Sequence, residues 1–204
     1  MVYIDPNQQS SKENYRLLSS IVIPRPIAFV TSKNKDGVIN AAPFSFFNVL
    51  TSRPPLISIS IGRRNGKTVK DTAKNIMESK EFVVHIVDPS LVHEMNQTSA
   101  DYPSNVSEIE EVGLSLVDSQ KVSVPSIKET KVRMECVLHQ TIPIGNDEEY
   151  SCDLIIGKVV MFHLENELYQ NGNGIEEKIA PLCRLGGANY AELGKIFKVP
   201  RPTL

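Results

Sequence analysis

The chain has 204 residues, with 22 Lys+Arg against 24 Asp+Glu and a formal net charge of -2 at pH 7. That length suits one large core better than two, and the slight acidic excess argues against a nucleic-acid surface, which carries a basic one. A 41% hydrophobic and 23% charged composition is that of a folded globular chain, and a mean hydropathy of -0.17 without a long apolar run argues against a membrane helix. The polar stretch Met1 to Ser11 lacks the basic-then-apolar order of a secretory leader, and Cys136, Cys152 and Cys183 share no C-x-x-C spacing. The expectation is a cytoplasmic protein with reduced thiols.

In chain order, Pro26 to Thr31 reads as a strand, and Asn34-Lys35-Asp36-Gly37 as a hairpin turn. Val38 to Leu50 follows as one extended run with Pro43 inside it, and Arg53-Pro54-Pro55 breaks the chain before a strand over Leu56 to Ile61. A helix is predicted from Thr68, with Val69, Ala73, Ile76 and Met77 at helical spacing and Thr68 with Asp71 forming a capping box. Glu81 to Val87 is a strand and Pro89 to Met95 a short helix, while Ala100 to Val112 is polar and loop-like. Lys131 to Ile142 alternates, with Val132, Met134, Cys136 and Leu138 on one face and Lys131, Arg133 and Glu135 on the other. Asp153 to Leu164 is a long strand and Asn171 to Gly174 a loop. Strands in pairs rather than a βαβ alternation predict a mainly β fold, an antiparallel barrel with appended helices.

Gly62-Arg63-Arg64-Asn65-Gly66-Lys67-Thr68 lies between a strand and a helix, where a phosphate loop would lie. It has three residues between its glycines where a nucleotide P-loop has four, which would misdirect the cradling amides. Helix-start amides beside Arg63, Arg64 and Lys67 still suit a phosphate monoester; a solvated basic turn accounts for the same residues. In Asn40-Ala41-Ala42-Pro43-Phe44-Ser45-Phe46-Phe47-Asn48, Pro43 implies a sheet edge or bulge, and the small alanines let a flat ring approach the backbone. An irregular edge strand whose phenylalanines fill the core is the alternative. His85, His93, His139 and His163 show no metal-ligand spacing, and His85 and His163 read as structural. No nucleophile elbow or acid–base pair is evident, so no catalytic side chain is expected. Glu108 to Glu111 and Asp147-Glu148-Glu149 read as solvated loops.

Taken together, Arg25-Pro26-Ile27-Ala28-Phe29-Val30-Thr31, the Asn40 to Phe47 segment, Pro54-Pro55-Leu56, Lys70 to Ile76, Glu81 to Val84, Met95-Asn96, Ile156 to Val160 and Arg184-Leu185-Gly186-Gly187 resemble the flavin reductase-like family with an FMN-binding split barrel. The resemblance spans about residues 20 to 190 and implies a single domain over 1–204: an antiparallel split β-barrel core at about 20–165 and a C-terminal extension over 166–204. It implies a homodimer with FMN near the subunit interface. Carried over, the ring contacts are Ala42, Pro43, Phe44, Ser45, Phe46 and Asn48, largely through backbone, with Thr31 and Ser32 as additions. The phosphate goes to Ser60, Arg63, Lys67 and Thr68; Arg184 and Leu185 close over the site from one subunit or the other. His85 departs from the family, whose members often carry Asn there. The implied activity is an FMN-dependent oxidoreductase of flavin reductase type, with NADH or NADPH delivering hydride to a flavin that does the redox chemistry itself. The alternative is a flavoredoxin-like electron carrier that exchanges electrons with a redox protein partner and does not use nicotinamide productively.

Overall fold

The computed structural model describes residues 1–145, 150–169 and 175–202. The loop expected at Asn171 to Gly174 and the acidic cluster at Asp147 to Glu149 lie outside the described residues. The helices are α1 (Ser11–Ile21), α2 (Asp71–Ser79), α3 (Val92–Gln97), α4 (Glu108–Glu111) and α5 (Ile175–Ile179). The strands are β1 (Arg25–Pro26), β2 (Ala28–Lys33), β3 (Ile39–Phe44), β4 (Phe47–Ser52), β5 (Pro55–Gly62), β6 (Glu81–Ile86), β7 (Leu116–Val117), β8 (Ser126–Ile127), β9 (Val132–Gly145), β10 (Tyr150–Leu164), β11 (Cys183–Arg184) and β12 (Tyr190–Ala191).

Three local expectations are corrected, and one helix carries no prior expectation. The N-terminal polar stretch leads into α1, started by a capping box in which Ser10 Oγ accepts the Glu13 N–H (3.3 Å) and the Glu13 carboxylate accepts the Ser10 N–H (2.8 Å). The run from Val38 to Leu50 is two strands, broken at Ser45–Phe46. The second helix starts at Asp71 rather than Thr68, with Lys70 as its cap residue and no side-chain cap. Thr68 is occupied elsewhere: its N–H and C=O bond Arg64 and close a tight turn, so no Thr68–Asp71 box forms. Within Ala100 to Val112, residues Glu108–Glu111 are helical and Glu108 is buried.

A seven-stranded sheet in the order β3-β2-β6-β9-β10-β5-β4 pairs antiparallel throughout. Its edge strands β3 and β4 are consecutive in the chain and joined only by Ser45 and Phe46. The sheet must curl to let two residues span both edges. The Phe46 carbonyl accepts the Ser60 N–H (2.8 Å), tying the corner to β5, but no ladder joins β3 to β4, so the barrel is not closed. The interior is filled by Ile57, Ile59 and Ile61 of β5, Ala28 and Val30 of β2, Phe82 and Val84 of β6, and Ala73 and Ile76 of α2. A second cluster, built on Ile27, Phe29, Met95, Ile109, Ile127 and Leu182, covers the other face of β2, which is why that strand is apolar on both faces. A three-stranded sheet β1-β11-β12 brings the C-terminal segment back to the start of the barrel, with Arg25 opposite Arg184.

Two buried polar groups lock the strands. Glu135, expected on an outer face, is fully buried and accepts the N–H groups of Gln120 (2.7 Å), Lys121 (2.6 Å) and Val122 (3.2 Å), with His163 Nε2 at 2.5 Å. Burial alone would raise its pKa, but these bonds outweigh it and hold the carboxyl below the usual range. His85 is fully buried, its Nδ1 donating to the Phe29 carbonyl (2.9 Å) and its Nε2 accepting the Ile127 N–H (2.9 Å). Both ring nitrogens are satisfied only in the neutral form. Burial therefore lowers its pKa from 6.5 to about 3, with Arg133 adding repulsion. Its role is structural, as expected.

Packing at Gly157 is equally restrictive: a Cβ there would meet Phe82 Cζ at 2.3 Å. Gly157→Ala is expected to cost about 1–3 kcal/mol by overpacking, and Phe82→Leu in the same chain to recover part of it; chemical denaturation measures both. A second expectation concerns pH. Between pH 6.5 and about 3 the unfolded chain binds a proton at His85 that the folded chain excludes. Stability from this group is complete above pH 6.5 and falls as pH is lowered, by at most about 1.4 kcal/mol per unit. Urea unfolding at two pH values should show His85→Gln less stable than the parent near neutrality and less sensitive to acid.

Candidate functional site

The site begins at the exposed edge of β3. The Ala41 N–H points away from β2 and is accepted by Glu108 Oε2 (2.9 Å), while Asn40 Nδ2 donates to Glu108 Oε1 (2.6 Å). Burial raises the Glu108 pKa against these bonds. By strand alternation Pro43 faces outward as Ala41 does. Proline stands where an edge strand would otherwise present an unpaired N–H. Beyond Glu108 the edge thus offers carbonyls and small side chains rather than donors.

Two hollows border this edge and share Pro43, Phe44 and Ser99. The smaller, about 70 Å³, lies toward the start of α2 and carries Arg64 and Lys70 beside Asp71, Asp101 and Glu108, with Ala42 and Thr72 among its other walls. Arg64 pairs at 3.4 Å with Asp71 through Nη2 and with Asp101 through its buried Nε, the latter outside hydrogen-bond geometry. The larger, about 220 Å³, is a cleft between α1, the β3–β4 corner, α3 and the C-terminal segment. Its walls carry Arg25 and Arg184, the aromatics Tyr15, Phe44 and Tyr190, and no Asp or Glu.

Arg25 builds this cleft. Its Nη1 donates to the Ser19 carbonyl and to that of Val22 (2.9 Å), its Nη2 to the Leu185 carbonyl (2.9 Å) and its Nε to Ser45 Oγ (3.4 Å). One side chain, 6% exposed, joins the end of α1, the corner and the C-terminal segment. Arg184 lies 4.4 Å from the Tyr190 ring centroid, donating to the Tyr190 hydroxyl and the Gly187 carbonyl (2.7 Å). Tyr190 OH in turn donates to Asn96 Oδ1 (2.9 Å).

Of the residues singled out from sequence, Pro43, Phe44, Ser45, Arg184 and Leu185 meet around the cleft, and Ala42 lines the smaller hollow beside it. Phe46 is exposed at the corner under the Arg25 guanidinium. Asn48 and Ser60 lie on β4 and β5, beyond that corner. Thr31 and Ser32 are fully buried: Thr31 Oγ1 donates to the Pro125 carbonyl (2.9 Å) and Ser32 Oγ bonds Asn40 and Asn75. In the basic loop, Lys67 and Thr68 are exposed, and Arg63 grips the buried Asp153 through Nε–Oδ2 (2.8 Å) and Nη2–Oδ1 (2.5 Å). The neighbouring Arg64 reaches the hollow instead. Residues not singled out are Arg25, Tyr15, Asn96, Tyr190, Lys70 and Thr72. Arg25 was visible as a cation next to a strand start, and Lys70, Thr72 and Asn96 lie in segments that carry the family resemblance; Tyr15 and Tyr190 carry no local signal. Among the described residues no group of His, Cys, Asp and Glu could hold a metal, and no helix is long and apolar enough to cross a membrane.

Antiparallel strands, an unclosed sheet and a basic cleft on its edge define the class of the fold, and solved structures share it. Nitrilotriacetate monooxygenase component B from Bacillus cereus is 49% identical with a TM-score of 0.94, over 98% of each chain. Pseudomonas fluorescens 2-nitrobenzoate 2-nitroreductase NbaA is 33% identical with a TM-score of 0.85, over 99% of this chain and 97% of that one. A split-barrel-domain chain from Shewanella frigidimarina is 20% identical and shares the fold, with a TM-score of 0.82 over 96% of both chains. The family model of the flavin reductase like domain matches residues 19–182. The chain belongs to the flavin reductase-like family.

Exchanging Arg25 for Met is expected to detach the C-terminal segment from the cleft, raising amide hydrogen exchange at Leu185 and Tyr190 more than in β9 or β10. Uniform exchange across all four would show that Arg25 does not hold the segment.

Proposed function

We propose that the chain is an FMN-binding oxidoreductase of flavin reductase type that takes hydride from NADH or NADPH. The carrying observation is the outward edge of β3, bordered at one end by a small hollow that sets Arg64, Lys70 and Thr72 beside Asp71, Asp101 and Glu108, and at the other by a cleft without Asp or Glu. The donor set fits the cofactor. Arg64, whose ion pairs with Asp71 and Asp101 are both long at 3.4 Å, Lys70 and Thr72 would hold the phosphate, and the backbone from Ala42 to Ser45 would lie along the ring. Bound there, the flavin would supply the redox chemistry. The chain's own part is positional: Arg25 fixes the cleft walls, the Arg64 charge orients the phosphate, and Pro43 leaves no N–H to compete. The names of two solved relatives above 30% identity, a monooxygenase component and a nitroreductase, support a redox role.

We also infer a homodimer. Tyr15 and Leu18 of α1, with Val22 just past its end, expose one apolar face, and Val49 and Leu50 expose the edge of β4, as a contact with a second copy requires. Three free cysteines fit a reducing, cytoplasmic setting.

The absorption spectrum of the purified protein with added FMN, then NADH or NADPH without oxygen, tests the reading. Bands near ~370 and ~450 nm that bleach with either nicotinamide support it. Bands that bleach only with dithionite assign the electron-carrier role, and no uptake of FMN overturns both. For the phosphate end, Arg64→Gln is expected to weaken FMN about tenfold or more and leave riboflavin binding unchanged, as loss of a charged hydrogen bond of about 1.5–3 kcal/mol predicts. Arg63→Gln should instead lower stability, by about 3–5 kcal/mol, because it strands Asp153. Parallel affinity and denaturation measurements separate the two arginines.

A further inference from the structure

Arg25 and Arg184 are directly opposite partners in the pairing of β1 with β11, and both line the 220 Å³ cleft. Like charges facing one another across a strand pair destabilise it unless something of opposite sign lies between. Nothing does: among the described residues neither arginine has an ion pair, and no Asp or Glu lines the cleft. A cation as buried as Arg25 is normally paired. Its guanidinium is nearly saturated by carbonyls and a hydroxyl, so it contributes charge. Arg184 engages two of an arginine's five N–H groups, leaving donors for a planar, two-oxygen acceptor. Tyr15, Phe44 and Tyr190 add flat apolar walls.

From these features we propose that the cleft binds a second substrate or acceptor bearing an aromatic carboxylate, with the carboxylate on Arg184 and the ring among Tyr15, Phe44 and Tyr190. The inference rests on the flavin reading in one respect. With the cofactor's phosphate held at Arg64 and Lys70, and an uncharged oxidised ring along β3, the charge of Arg25 and Arg184 is left for another ligand. Fixed cations select by charge rather than by size, so a neutral amide of the same shape is a poor ligand.

The experiment is equilibrium dialysis of benzoate and benzamide against the protein as purified and after loading with FMN, in low-chloride buffer. Benzoate is expected to bind the FMN-loaded protein at least tenfold more tightly than benzamide. Arg184→Gln should abolish that preference, Arg184→Lys should retain part of it, and Tyr15→Ala should weaken both ligands alike. Equal binding of the two ligands, or a benzoate preference lost on loading with FMN, overturns the proposal, the latter because the cofactor then takes the arginines. Failure to take up FMN sinks the flavin reading alone. The anion site then stands or falls on the benzoate-to-benzamide ratio of the protein as purified.

Discussion

The guanidinium of Arg25 is the contact on which the rest of the site depends. Its acceptors come from the last turn of α1, from the corner between β3 and β4, and from Leu185, 160 residues away in sequence. An arginine can do this because its donors diverge in one plane; a lysine ammonium has neither the reach nor the fixed directions. Two of the acceptors are carbonyls near the end of α1, where the helix dipole favours a cation. Without that joint the helix, the corner and the C-terminal segment would each pack on the barrel separately, and no cleft would lie between them.

The distribution of carboxylates complements this. Glu135 is folded inward against the amides of residues 120–122, Asp153 against Arg63, and Glu108 against the edge of β3. Each acid clamps a loop or an edge and is thereby kept away from the cleft. A chain that is slightly acidic overall can so present a locally basic cleft, because these three acids are held as internal acceptors and no Asp or Glu lines its walls. Net charge describes solubility and long-range steering, and a site's sign is set by which charges the fold leaves unpaired.

Strand alternation made β5 legible, since it buries one face, and Pro43 marked an edge correctly. Where sequence reasoning failed, a distant partner decided the outcome. Arg63 and Arg64 are indistinguishable by composition; Asp153, on β10, captures one and leaves the other to the hollow. Glu108 sits in an acidic run that reads as solvated until β3 presents it with an N–H and an amide. The pairing of Cys183–Arg184 with Arg25–Pro26 has no local signal, and only the family resemblance pointed to Arg184. The missed α1 is different in kind: its Ser10-x-x-Glu13 capping box was readable and is confirmed by both bonds.

An open sheet carries a hazard that this one meets unevenly. Exposed edge strands template aggregation by adding further strands, and the remedies are proline, buried charge and short length. On β3, Pro43 removes a donor and Glu108 occupies another, so the strip of backbone that borders the cleft is also closed to strand addition. The features that keep donors away from a ligand thus double as protection against self-assembly. The opposite edge, β4, exposes Val49 and Leu50 and has no proline within it. Any strand that joins this sheet has one side on which to do so, and that asymmetry gives an unclosed barrel a defined polarity in how it meets its neighbours.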